Sequence, residues 1–226
     1  MTESEKFQKT VDLVKKFRSD FKVTYKKDSK LHKLIGWCLA KIGNKQYMTD
    51  FITTLGANVA LPEGIDENTA NLWQCILHEG RHAIDGKKLT APVFNFLYLF
   101  PQILGIILPA VSLVLVTCGF PVFLWGLLTL ALLAPIPAIG RTWLELRGYS
   151  VTVASMFWSG SINNQDDIIN YLEQIFTTGA YYWMWPFKSF INWYFAKEII
   201  QLQTNTYALD GYLAACKVLS KEFLRD

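Results

Sequence analysis

His78-Glu79-Gly80-Arg81-His82 sets two imidazoles four residues apart with a carboxylate beside the first. On an α-helix residues i and i+4 share a face, so both rings can converge on one divalent ion while Glu79 stands next to them without ligating it. Zn2+ suits such a nitrogen pair. From that position a carboxylate can take a proton from an attacking water and hand it to a leaving amine. The chemistry in prospect is therefore hydrolysis of a peptide bond, with His78 and His82 as metal ligands and Glu79 as general base. The plainer alternative is two unrelated histidines on one helix. His32, the remaining histidine, stands near Lys30 and Lys33 and reads as a solvated surface residue.

A catalytic zinc takes three protein ligands and keeps one position open. No histidine follows His82, which excludes the longer three-histidine pattern and points to a carboxylate. Glu145 is the leading candidate, as the first acid after residue 85 and the only one before Asp166. Asp85 is its rival, three residues after His82, though a supporting or capping role suits it better; Asp166, Asp167 and Glu173 remain further options. Tyr149, one helical turn past Glu145, could aim its hydroxyl at a developing oxyanion. Arg147 and Tyr207 compete for that role, and Tyr149 reads equally well as a packed aromatic.

Between His82 and Glu145 lies a stretch of 52 residues, 89–140, without Asp, Glu, Lys, Arg or His. All 41 acidic and basic residues fall on the other 174 positions, about 24% of them, near the ~25% of ordinary soluble domains. At 1.5 Å per residue the stretch is too long for one crossing of a ~30 Å hydrocarbon core and suits two. The sequence predicts spans over 93–116 and 121–138, turning at Thr117-Cys118-Gly119-Phe120-Pro121 and kinked at Pro101, Pro109 and Pro135. Lys87 and Lys88 before it and Arg141 and Arg147 after it predict two transmembrane helices in an integral membrane protein, with both ends and the polar domain in the cytoplasm. Two crossings would also return Glu145 to the side of His78 and His82. A buried helix pair in a soluble protein is the alternative.

The elements that must carry these residues are legible in outline. Phe7, Val11, Val14, Phe17 and Phe21 recur at three or four residues, predicting an amphipathic helix over 3–21, followed by a second over 29–42. Residues 47–62 alternate and are rich in β-branched types around Gly56, predicting one or two strands. Asp66 reads as the N-cap of a helix over 67–85 that bears the histidines. Past the apolar stretch, helices are expected over 141–154, 163–176 and 197–224. The aromatic run 176–195, with Tyr181, Tyr182, Trp183, Trp185, Trp193 and Tyr194, reads as a segment at the lipid headgroup level, with a third span as the alternative.

A net charge of +3 without a concentrated basic stripe gives no footprint for nucleic acid. Cys38, Cys75, Cys118 and Cys216 are scattered and read as free thiols in a reducing compartment. The opening residues Met1-Thr-Glu-Ser-Glu-Lys6 lack the apolar core of a signal peptide.

Taken together, these residues resemble the gluzincins, zinc peptidases whose ligands are the two histidines of H-E-x-x-H and a downstream glutamate. The resemblance is nearest to their integral-membrane branch, the HtpX-like heat-shock proteases and CAAX prenyl proteases, in a minimal form, and covers roughly residues 47–160. It implies His78, His82 and Glu145 as ligands, Glu79 as base, and a strand over 53–61 that receives the substrate as an added strand. That branch usually has an acid where this chain has Tyr149. The expected fold is mainly α with a small β-element, a zincin-like metallopeptidase domain interrupted by a transmembrane helical hairpin. Residues 1–90 form its first half with the histidine helix, 91–140 the hairpin, and 141–226 the second half with the ligand-glutamate helix. The expected partners are the lipid bilayer and a peptide or protein substrate. The competing readings are a catalytically inactive zincin-like membrane scaffold and a holin-like or virion membrane hairpin protein.

Overall fold

The structure is a computed structural model that describes residues 1–41, 45–134, 136–178 and 184–224. The chain is mainly helical with a small three-stranded sheet, and it divides into two compact units. The first comprises Met1–Ala91, Arg147–Ile162 and Thr206–Asp226, and the second Pro92–Leu146 and Asn163–Asn205. Residues 163–205 thus group with the apolar stretch and not with the histidine helix.

In the first unit, α1 (Glu3–Phe17) begins at a capping box in which the Thr2 hydroxyl accepts from the Glu5 amide and the Glu5 carboxylate accepts from the Thr2 amide. These bonds satisfy two backbone donors that a helix start otherwise leaves open. Its apolar side, including Phe7, Val11 and Val14, is buried. The strands β1 (Lys22–Tyr25), β2 (Thr53–Leu55) and β3 (Asn58–Leu61) form a sheet in the order β1-β3-β2. β1 runs parallel to β3 with Lys22 opposite Asn58, and β2 runs antiparallel to it with Thr54 opposite Val59. Gly56, at φ +65°, makes the tight β2–β3 turn that a side chain would strain. The sequence predicted β2 and β3 but not β1.

Between β1 and β2 lies α2 (Lys30–Lys41). His32 on α2 is buried and shares a 2.7 Å hydrogen bond with the Tyr47 hydroxyl, which corrects the surface assignment. Neighbouring lysines do not make a helix position solvated when its own face points inward. Lys26 is also fully buried, its ammonium donating to the carbonyls of Tyr47 (2.5 Å) and Phe51 (2.6 Å) and lying 3.8 Å from the centre of the Tyr47 ring. These contacts tie the segment that leads into β2 to the end of β1.

α3 (Leu72–Leu89) bears the histidine motif. It starts five residues later than predicted, because the Asp66 side chain closes a local turn by accepting from the Asn68 amide (2.9 Å), and Asn71 then takes a left-handed conformation (φ 60°). α3 packs on α1, and a Cβ at Gly80 would lie 2.7 Å from Val14 Cγ2 and 2.6 Å from the Tyr212 hydroxyl. Tyr212 belongs to α9 (Gly211–Leu224), and its hydroxyl donates to the Leu77 carbonyl at 2.8 Å. Trp73 and Phe223 meet edge to face at 5.0 Å.

In the second unit the apolar stretch departs from two straight spans. Among the described residues no single helix is long and apolar enough to cross a membrane. α4 (Ala91–Leu99) and α5 (Leu104–Thr117) pass that test only together, bent by 96°. The break falls at Pro101, which cannot donate an N–H to the helix ladder. The predicted second span is a 3-10 segment, Pro121–Leu133, packed on α5. It stops at Ala134, which is extended (ψ 160°), as the residue before a proline prefers. Among the described residues helix length does not support two transmembrane helices, and Pro135 lies outside the described residues. α6 (Ile139–Trp158) begins in this unit and continues unbroken into the first.

α7 (Gln165–Thr177) and α8 (Lys188–Gln203) pack together, with the Phe176 and Phe195 rings 6.0 Å apart and Leu172, Ile175, Ile191 and Ile199 also buried. Of the aromatic run, Tyr181, Tyr182 and Trp183 lie outside the described residues, while Phe187 and Trp193 are exposed. The predicted single helix over 197–224 is two, α8 and α9, separated at 204–210, where Asn205 takes φ 54°.

Two outcomes follow for the first unit. Gly80→Val forces bulk into the α1–α3–α9 contact and should destabilise the fold by about 1–3 kcal/mol in denaturant unfolding; an unchanged midpoint would contradict the packing. Burial pushes the Lys26 ammonium down to about 8 from an ordinary 10.5. The unfolded chain then holds that proton over a range where the folded chain has released it. Stability should rise with pH between about 8 and 10, and the rise should vanish in Lys26→Met.

Candidate metal centre

His78 and His82 sit on one side of α3, both buried, and their Nε2 atoms are 3.0 Å apart. Zinc–nitrogen distances of ~2.0–2.1 Å in a tetrahedron put two nitrogens about 3.3 Å apart, so this spacing is close to that of a shared ion. The His78 ring lies against α6. A Cβ at Gly148 would come within 2.7 Å of His78 Cε1 and Nε2, so only glycine leaves room for the imidazole. His78 Nδ1 is 3.3 Å from the Thr152 hydroxyl, a partner able to fix the ring and leave Nε2 for a ligand. Tyr149 packs its ring edge to face on the His78 ring at 4.5 Å.

Gly148, Tyr149 and Thr152 stand three, four and seven residues after Glu145 on the same unbroken helix, so the helical period puts the four residues on one side of α6. One ligand atom from each of His78, His82 and Glu145 lies within 4.8 Å of the others, and all three residues are buried. Two imidazoles and one carboxylate match the donor set of catalytic zinc sites. Glu145 Oε1 also accepts a 2.6 Å hydrogen bond from the Tyr98 hydroxyl of α4. Tyr98 is itself held by Arg141, which donates to its carbonyl at 2.9 Å and lies over its ring at 5.2 Å.

Glu79 is half-buried, and its Oε2 accepts from the Thr54 hydroxyl of β2 at 2.5 Å. The rival acid Asp85 faces elsewhere. Its carboxylate takes two hydrogen bonds from Arg147 (2.7 and 2.9 Å) and one from Arg81 (3.2 Å), and Arg81 also pairs with Asp210. That network engages the Arg147 guanidinium, the competitor of Tyr149. Tyr207 lies in the segment between α8 and α9. Asp166, Asp167 and Glu173 are on α7, where Glu173 binds Asn192 and Lys188.

Sequence reasoning missed Tyr98, Thr54, Thr152 and Gly148. The first three act through another side chain, and nothing in their local spacing announces it. Gly148 did carry a signal, a glycine interior to a predicted helix, where it costs roughly 1 kcal/mol relative to alanine and so invites a packing reason.

Comparison with protein-family models, curated proteins and solved structures finds no match to this chain.

The supporting residues make a distinct expectation. Tyr98→Phe and Thr152→Val should each weaken zinc binding by on the order of 10–100-fold in chelator competition while leaving the circular-dichroism spectrum unchanged. Gly148→Ala, which displaces the His78 ring, should weaken it at least as much. Affinities equal to wild type in all three would show that these contacts do not shape the site.

Proposed function

We propose that the chain is a membrane-embedded zinc endopeptidase of gluzincin type, with His78, His82 and Glu145 as ligands and Glu79 as general base. The observation that carries the reading is the buried convergence of the three donor groups beside the H-E-x-x-H carboxylate. Zinc bound there would supply Lewis acidity, polarising the scissile carbonyl and making water a nucleophile near neutral pH.

The chain's own residues do the rest. Thr54 holds one oxygen of Glu79, steadying the carboxylate, which accepts a proton from the attacking water. As the carbon–nitrogen bond breaks, the same carboxylate delivers that proton to the leaving amine. Tyr149, beside His78, supplies the hydroxyl for the developing oxyanion. Because β3 is central in the sheet, an extended substrate adds at the open edge of β2, next to Thr54, by backbone hydrogen bonds.

The apolar stretch 89–140 embeds this enzyme in the bilayer as a hairpin that enters and leaves on one side. Its α5 and 3-10 segments run about 21 and 26 Å at 1.5 and 2.0 Å per residue, somewhat short of a ~30 Å core. The basic flanks Lys87, Lys88 and Arg141 support a cytoplasmic setting for that side.

Metal analysis of purified wild type, Glu79→Gln and Glu145→Ala, with peptidase assays on each, tests this directly. Expected are one zinc per chain in wild type, retention of zinc with at least a 10²-fold loss of activity in Glu79→Gln, and loss of zinc in Glu145→Ala. A folded, zinc-free wild type, or full activity in Glu79→Gln, would overturn the reading.

A further inference from the structure

We propose that α2 is a membrane-surface helix whose outward face, Leu31, Leu34, Trp37 and Cys38 among lysines, lies in the headgroup layer of an anionic bilayer. This rests on α2 alone and is independent of the metal reading.

α2 has an inner and an outer side. The inner side is fixed by His32, bonded to the Tyr47 hydroxyl, and by Gly36, where a Cβ would come within 2.9 Å of Met48 Cγ. With that side seated, the helix cannot roll to hide the opposite one. There Leu31 is 55% exposed, Leu34 58% and Trp37 62%, with Cys38 also exposed beside them. Residues 31, 34, 37 and 38 share one helical face, so these are a contiguous patch and not the scattered apolar side chains of any surface.

The charge around the patch selects its partner. Lys27, Lys30, Lys33, Lys41 and Lys45 are exposed, and across the described residues from 26 to 45 Asp28 is the only acid. A second copy of the chain would bring the same lysines against each other, a repulsive arrangement for a two-fold contact. An anionic lipid surface offers both things the face lacks, an apolar layer for the leucines and negative headgroups for the ammoniums. Lysine stems cover apolar surface while their charges reach the headgroups, and Lys41 lies 5.6 Å from the Trp37 ring centre. Tryptophan is the residue most at home at that depth. At 12 residues the helix measures about 18 Å, too short to cross and long enough to lie flat.

The test uses the full chain with two vesicle compositions, pure phosphatidylcholine and a mixture with 30% phosphatidylserine, each with acyl-chain-brominated analogues. The Trp37 signal is taken as wild type minus Trp37→Phe. It should be quenched by the brominated lipid, and shielded from aqueous iodide, in the anionic vesicles and much less in the neutral ones. Replacing Lys30, Lys33 and Lys41 together by Gln, all exposed positions, should remove most of the extra Trp37 quenching seen in the anionic vesicles, and high salt should do likewise. Equal quenching in both compositions would overturn the proposal, as would Trp37 open to iodide in both. Shielding from iodide without bromolipid quenching, in a protein that crosslinks as a dimer through Cys38, would assign the face to a second copy and also overturn it.

Discussion

The contact on which the site depends is that of the His78 imidazole with the backbone of α6 at Gly148. A side chain there would occupy the volume of the ring itself. Once the ring lies on α6, the helical period fixes what surrounds it. Thr152 meets Nδ1, Tyr149 meets the ring face, and Glu145 falls one turn before Gly148 on the same side. One face of a single helix thereby supplies room, orientation and a packing wall for the ring. A flexible loop could carry the same residue types but would have to order each separately, at roughly 1–2 kcal/mol of backbone entropy per residue.

The two variable positions of H-E-x-x-H are as constrained here as the named ones. Gly80 is pressed between Val14 and Tyr212, and Arg81 is buried between Asp85 and Asp210. Asp85 in turn receives Arg147 from α6. Buried ion pairs of this kind contribute little net stability, but removing one member strands a charge at several kcal/mol. For Asp85 to leave the network and bind a metal, it would give up the bonds of both guanidiniums, with Arg81 left to Asp210 and Arg147 to its partly exposed position. The same spacing argument that made Asp85 a rival ligand, three residues past His82, makes it the natural anchor between α3 and α6.

What the sequence made legible was what is local. The histidine spacing, the capping box at Thr2, the alternation over 53–61 and the helix around Glu145 are each set within a turn or a strand length. What it hid is set at a distance or by competing local bonds. β1 is four residues whose parallel partner begins 36 positions later at Asn58, and nothing in Lys22-Val-Thr-Tyr25 names it. α3 starts later than expected because Asp66, a good helix cap, is used for its own turn. His32 looked solvated because its neighbours are, although position 32 points inward at Tyr47. The apolar stretch looked like two spans because hydrophobicity and length do not tell whether a proline such as Pro101 merely kinks a helix or, as here, marks a break bent through 96°.

That stretch also does more than its composition suggests. Gly140 brings the start of α6 so close to α4 that a Cβ would lie 2.3 Å from the Leu97 carbonyl oxygen. This close approach lets Arg141 bind the Tyr98 carbonyl and cover its ring, and Tyr98 in turn donates to Glu145. A short hydrogen bond to one carboxylate oxygen removes a rotational freedom that a buried glutamate would otherwise have to lose on binding a ligand. Arg141, which in the sequence is simply the first charge after an apolar run, is the residue that aligns this relay. The bend at Pro101 follows directly after α4, so the shape of the apolar segment and the position of the Glu145 carboxylate are set by the same few contacts. A straight helix through residue 101 would place that segment differently past Tyr98. The break that defeats the simple two-span reading therefore lies immediately beside the element that orients the acid.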